Sequence, residues 1–179
     1  MWSPVYIFTQ PPILGISPAI PIYDSEGELQ GVMAIDLTLS RLGEFLRSLE
    51  VGRSGEAFII ERSGEIVASS IGESPLQETP EGWERLSASA SREPMIQAAV
   101  NHLQKDKNLA ALESDRHIIV DREGHRYFVR IQAFYHEGGI DWLVTFSPVN
   151  PSGLTGASEE TELNPFFSRS FLLHRLAIA

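Results

Sequence analysis

Phe58-Ile-Ile-Glu61-Arg-Ser-Gly64-Glu-Ile-Val-Ala68 places two apolar, β-branched runs on either side of a short polar turn that ends in glycine. Such runs favour the pleated, half-buried surface of a sheet. Glycine supplies the positive φ that closes a tight hairpin, and an acidic side chain at the start of the turn can accept backbone N–H groups. The same plan occurs twice more. Upstream it reads Pro21-Ile-Tyr-Asp24-Ser-Glu-Gly27-Glu-Leu-Gln-Gly31-Val-Met-Ala-Ile35; downstream it reads Ile118-Ile-Val-Asp121-Arg-Glu-Gly124-His-Arg-Tyr-Phe-Val129. Three β-hairpins are therefore expected, with turns at Asp24 to Gly27, Arg62 to Gly64 and Arg122 to Gly124. Trp142 to Phe146 follows the Gly138-Gly139 break and should pair with a long strand from Tyr127 to Phe134.

Between the first two hairpins the period changes. Leu39, Leu42, Phe45, Leu46 and Leu49 share one helical face, with Thr38 placed to cap its start, so a connecting helix is expected over 38–53. A second helix, from about Arg92 to Lys105, carries Met95, Ile96, Ala99, Val100 and Leu103 on one face. Ser91 is its candidate N-cap, and Pro94 falls in the first turn. Ser70 to Pro80 is rich in Ser, Glu, Pro and Gly and reads as an exposed loop, and 149–179 reads as an irregular tail. The fold class that results is α+β: a central antiparallel sheet flanked by helices over 54–148, preceded by strands over 1–37. The chain opens on Trp2-Ser-Pro-Val-Tyr6 without a leader, so 1–37 is expected to hold only the last strands of an incomplete module, with Ile13, Ile16, Ile20 and Val32 on an uncovered apolar face.

Composition removes whole classes of function. The chain has 179 residues, 42% of them hydrophobic, enough for a real core. Its 24 acidic residues against 14 basic ones give a net charge of -10, and no stretch gathers Lys and Arg to neutralise phosphates, so no nucleic-acid partner is expected. The absence of cysteine excludes disulfides, thiolate metal sites and cysteine nucleophiles. His102, His117, His125, His136 and His174 lack metal-site spacing; His117 and His125 are expected to face each other across the third hairpin as a solvated pair. No phosphate-cradling loop, serine elbow or paired carboxylates stand out, so neither catalysis nor a cofactor is expected.

The ordered words Trp2-x-x-x-Tyr6, Gly15-Ile-Ser17, Pro21-Ile-Tyr-Asp24-x-x-Gly27, Gly31-Val-Met-Ala-Ile-Asp36, the Leu39 to Leu46 helix and Gly52-Arg-Ser-Gly55-Glu-Ala-Phe-Ile-Ile60 resemble the double Cache sensor domains. These are paired PAS-like modules in the extracytoplasmic parts of chemoreceptors, sensor histidine kinases and nucleotide cyclases. The resemblance covers residues 2 to about 148. It implies an incomplete membrane-distal module over 1–37 and a membrane-proximal module over 54–148. It also implies a small-molecule ligand such as an amino acid or small carboxylate, attachment to a membrane only through flanking helices, and a homodimer in the full receptor.

In amino-acid-binding members, a Tyr after a Trp-containing strand and an Asp closing the Gly-Val-x-x-x-Asp strand help hold the ligand. Tyr6 and Asp36 match those positions, and Trp2 completes the candidate set. Asp36 suits an ammonium group as a point anion. It lies equally well placed to serve the start of the connecting helix, and Trp2 and Tyr6 can equally be strand aromatics packed on a neighbour. A different role for the chain also stays open: a relay that binds nothing and passes motion to a membrane helix, its second module filled by Phe58, Ile60, Phe128 and Trp142.

Overall fold

The computed structural model describes residues 1–49, 55–105, 109, 112, 115–122 and 125–147, with the backbone alone for 121, 122, 125 and 126. The N-terminal part holds β1 (Tyr6–Thr9), β2 (Pro12–Ile16), β3 (Ala19–Tyr23), β4 (Leu29–Ala34) and β5 (Leu37–Thr38), followed by helix α1 (Ser40–Ser48). Then come β6 (Glu56–Glu61), β7 (Ile66–Ser69), β8 (Leu76–Thr79), β9 (Gly82–Arg85), a 3-10 turn at Ala88–Ala90, α2 (Pro94–Lys105), β10 (Arg116–Arg122), β11 (His125–His136) and β12 (Ile140–Ser147). The fold is α+β, mostly antiparallel sheet with two helices. Among the described residues no helix is long and apolar enough to cross a membrane.

The principal sheet has five strands in the order β10-β11-β12-β6-β7, and every neighbour is antiparallel. Its hairpins stand where glycine and the polar turns put them. Gly64 takes φ +92 and donates to the Glu61 carbonyl at 2.9 Å. Phe134 pairs with Trp142, as the apolar runs around Gly138-Gly139 require. The β10–β11 register runs out to Arg122 opposite His125; Glu123 and Gly124, at the expected turn, lie outside the described residues.

Both faces of β6, β7 and β12 are buried, because successive side chains point to opposite sides and each side meets a core, whereas Ile119 and Phe128 leave one face of β10–β11 open. Ala57, Ile59, Trp142, Val144, Phe146 and Phe134 form one core with Leu42 and Leu46 of α1 and with Val5, Leu14 and Ile16 from the N-terminal strands. Phe58, Ile60, Leu143, Val129 and Ile131 form the other with Met95, Ile96, Ala99, Val100 and Leu103 of α2. A bulge in β7 keeps the alternation: Ile60 faces Ile66 and Ile59 faces Ala68, so Val67 joins the α1 side as the extra residue.

Several local expectations need correction. Ser70 to Pro80 is only partly loop, since β8 and β9 make a hairpin closed by Gly82 at φ +129. The apolar signal of that pair is a lone buried Leu76. The N-cap of α1 is Leu39, which makes no side-chain capping bond, and Thr38 instead accepts a long bond from Ser40. The hydroxyl of Ser91 accepts the Glu93 N–H but precedes the first helical carbonyl, that of Glu93, to which Gln97 donates. His117 pairs with Arg130 and His125 with Arg122, so the two histidines do not oppose each other. Phe128 is exposed, whereas Phe58, Ile60 and Trp142 are buried. On the N-terminal strands Ile20 and Val32 are exposed as expected, but Ile16 is buried, because β2 lays Leu14 and Ile16 against the sheet, and Ile13 is half-buried. The end of the expected 38–53 helix and the tail 149–179 lie outside the described residues.

Candidate functional site

Strand pairing assembles three side chains that are far apart in sequence. β1 pairs with β2 so that Tyr6 stands opposite Gly15. β2 pairs in turn with β5, and Ile16 opposite Leu37 brings Ser17 and Asp36 together just past the end of that pair. Asp36 Oδ1 accepts the Ser17 hydroxyl at 2.7 Å and the Tyr6 hydroxyl at 3.0 Å, and the two hydroxyl oxygens are 2.7 Å apart. The ring of Tyr6 is held edge-on by Phe8, centroids 5.0 Å apart.

The proton count of this triangle is informative. Each hydroxyl carries one hydrogen, so two protons serve three contacts, and the carboxylate accepts at least one of them whichever hydroxyl donates across the Tyr6–Ser17 contact. The Ser17 and Tyr6 bonds also hold the Asp36 carboxyl below its ordinary value of 3.8, which keeps it ionised at neutral pH. Asp36 is exposed, Tyr6 is half-buried and Ser17 is buried. The group therefore presents one full negative charge on an accessible shelf, with the half-buried Tyr6 hydroxyl beside it and the buried Ser17 hydroxyl behind it, an arrangement suited to a cation with N–H groups.

The carboxylate bonds run to β1 and to the segment after β2, away from α1, so Asp36 does not cap that helix. Asp24 shows what a purely local acidic residue looks like here. Its Oδ1 takes the N–H groups of Glu26 and Glu28, both at 2.9 Å, and its Oδ2 takes the Gln30 amide at 2.6 Å, closing its own hairpin.

Of the three residues singled out from sequence, Tyr6 and Asp36 are joined and Trp2 is not part of their network. The Trp2 N–H donates to the Gly138 carbonyl at 2.6 Å, and its ring meets His136 edge-on with centroids 6.2 Å apart. It is a contact to the β11–β12 turn. Ser17 is the residue that sequence reasoning missed. The signal was present as the polar end of Gly15-Ile-Ser17, but a serine after a strand has no distinctive pattern until its partner is known. Among the described residues no three His, Asp or Glu side chains gather to hold a metal.

Known proteins resemble this chain at two levels. Residues 12–163 match the family model for the Cache domain. Among solved structures, the ligand-binding domain of a Campylobacter jejuni chemoreceptor in complex with 4-methylisoleucine is 13% identical, with 83% of this chain and 46% of that one covered at a TM-score of 0.51. A methyl-accepting chemotaxis protein is 18% identical, with 82% and 49% covered at 0.51. The ligand-binding domain of a Pseudomonas aeruginosa amino acid chemoreceptor in complex with GABA is 18% identical, with 82% and 54% covered at 0.49. At such identities the likeness is one of fold, and the chain spans about half the length of these structures. No curated protein matches the sequence.

Proposed function

The chain belongs to the Cache domain family, and from that premise we propose that it is a ligand-sensing part of a membrane receptor, facing the extracytoplasmic side, in which Asp36 takes the ammonium group of a small ligand such as an amino acid. The observation that carries the reading is the ionised carboxylate of Asp36 held by the hydroxyls of Tyr6 and Ser17 at the surface of the N-terminal strands. A carboxyl with a depressed pKa is a poor general acid or base at neutral pH, because proton transfer is most effective when the pKa lies near the working pH. The same depression suits a permanent counter-charge. Binding and not catalysis is the chemistry this arrangement favours. The chemoreceptor domain of similar fold that is in complex with 4-methylisoleucine lends support, since that ligand carries an ammonium group.

The five-stranded sheet suits the second role, that of relay, in part: Phe58, Ile60 and Trp142 are buried in it as that role requires, and Phe128 is exposed. In this reading the N-terminal strands sense and the sheet passes the change on.

A thermal-shift and titration screen of L-amino acids, small amines and small carboxylates on the receptor ectodomain tests the proposal. A ligand that binds only the folded state must raise its stability. Asp36→Ala should weaken binding of the amine-bearing hit roughly tenfold or more while leaving the unfolding midpoint almost unchanged. Tyr6→Phe should weaken it less, since only a hydroxyl is lost. Unchanged affinity in both variants, or a screen in which only amine-free acids bind, would show the site to be wrongly assigned.

A further inference from the structure

Ser17 touches the candidate site with its side chain and the rest of the molecule with its backbone. Its hydroxyl bonds Asp36 and lies beside that of Tyr6. Its N–H donates to the Ser3 hydroxyl at 2.9 Å, and its carbonyl accepts the Ser3 N–H, also at 2.9 Å. The next residue, Pro18, forms an isolated bridge with Trp2. Trp2 is seated without slack: a Cβ added to Gly138 would come within 2.6 Å of its ring. The Gly138 N–H is itself fixed on His136 Nδ1 at 3.0 Å. That turn joins β11 to β12 in the five-stranded sheet.

We propose that Ser17 is a positioning residue that ties the charge on Asp36 to the β11–β12 turn, through Ser3 and the Trp2 side chain lodged against Gly138. The proposal rests on reading Asp36 as the ligand's anchor, but the coupling itself needs no ligand to be seen. The bond from a neutral hydroxyl to an ionised carboxylate is strong and directional. When that charge is neutralised or engaged by a guest cation, the Ser17 hydroxyl loses its fixed acceptor geometry. Both backbone polar groups of Ser17 are bonded to Ser3, so the serine cannot move without carrying residues 2 and 3 with it. A continuous chain of bonded groups is a route for coupling only if a change at one end is measured at the other.

The experiment uses nuclear magnetic resonance of the full chain at one fixed pH. The Trp2 indole signal is assigned among the three tryptophans by comparison with Trp2→Phe. Asp36→Asn, which keeps the shape and removes the charge, should shift the Trp2 indole signal and speed exchange of the Trp2 backbone amide roughly tenfold. Introduced together with Ser17→Ala, the same change should leave the Trp2 signals where Ser17→Ala alone puts them. With Ser17→Thr, which retains the hydroxyl, the response should return. Trp2 signals indifferent to Asp36→Asn would overturn the proposal, as would an equal response with and without the Ser17 hydroxyl. Gly138→Ala supplies an independent arm should Ser17→Ala not fold. It displaces the indole and must abolish the response, and a response that survives it also overturns the route. Because no ligand is added, failure here and failure of every amine to bind are separate results.

Discussion

The β3–β4 hairpin turns at Asp24 to Gly27 and the β6–β7 hairpin at Glu61 to Gly64, on the same acidic-x-x-Gly plan and with nearly the same positive φ at the glycine, +85 and +92. Their surroundings differ completely. In β6 and β7, Phe58, Ile59, Ile60, Ile66 and Val67 are almost wholly buried. In β3 and β4, Ile20, Ile22, Tyr23, Leu29, Val32 and Met33 are between 45% and 64% exposed, and among the described strands the two pair with each other alone, apart from the bonds that Ala19 exchanges with Met1. The local chemistry of a turn thus decides that a hairpin forms. What decides its stability is whether strands and helices arrive to cover it, and a two-stranded ribbon alone is marginal in water. The β6–β7 hairpin has β12 on one edge and helices α1 and α2 on its faces; among the described residues the β3–β4 hairpin has neither a neighbouring strand nor a helix over it.

The contrast can be broken most severely at Phe58. Phe58→Ala should cost about 3 to 5 kcal/mol, because a side chain that is 1% exposed leaves a cavity that the packed sheet cannot collapse into. Denaturant unfolding reads the loss, and a cost below about 1 kcal/mol would mean the α2 face is not closed.

A smaller effect lies at the end of β6. Burial, and next to it the charge of Glu93, raise the Glu56 carboxyl above its ordinary 4.5. The folded state then holds its proton more tightly than the unfolded chain does, so this group's contribution falls as pH rises from about 4.5 through the raised value. Glu56→Gln should accordingly raise the melting temperature modestly at pH 7 and by progressively less toward pH 4. A benefit that persists unchanged in acid would point to packing and not to charge. The smallest effect belongs to the exposed ribbon of β3 and β4. Val32→Thr should alter stability by no more than about 0.5 kcal/mol, as for other surface positions, while sedimentation shows less self-association. A loss several times larger would reveal that something covers β4 in solution.

The sequence was most legible where one residue type dictates a local geometry. Gly27 and Gly64 marked two turns, and the switch from strand alternation to Leu39, Leu42, Phe45 and Leu46 marked α1. Legibility failed where the signal lay in a partner. Ile16 looks like any strand isoleucine, and only the approach of β2 to α1 and the sheet buries it. The β8–β9 hairpin is mostly polar, with Trp83 exposed, so alternation had little to register. At the candidate site, the order of motifs singled out Asp36 and Tyr6, which are hydrogen-bonded, whereas Ser17 became visible only once its hydroxyl was seen beside both. Trp2 carried an aromatic signal that was real but belonged to Gly138 and His136.

Gly15 stands across from Tyr6, and the ring of Phe8 occupies the space where a Cβ at Gly15 would project. The ring that braces the Tyr6 phenol is therefore seated in a notch made by an absent methyl group. The aim of the hydroxyl is set from behind, by an aromatic wedge and an empty position on the neighbouring strand. On the proposal that Asp36 anchors a ligand, drift in either would retune which guests fit without altering any atom that a guest could touch. Selectivity, on that proposal, would be inherited from the upholstery behind Tyr6 as much as from the charge of Asp36.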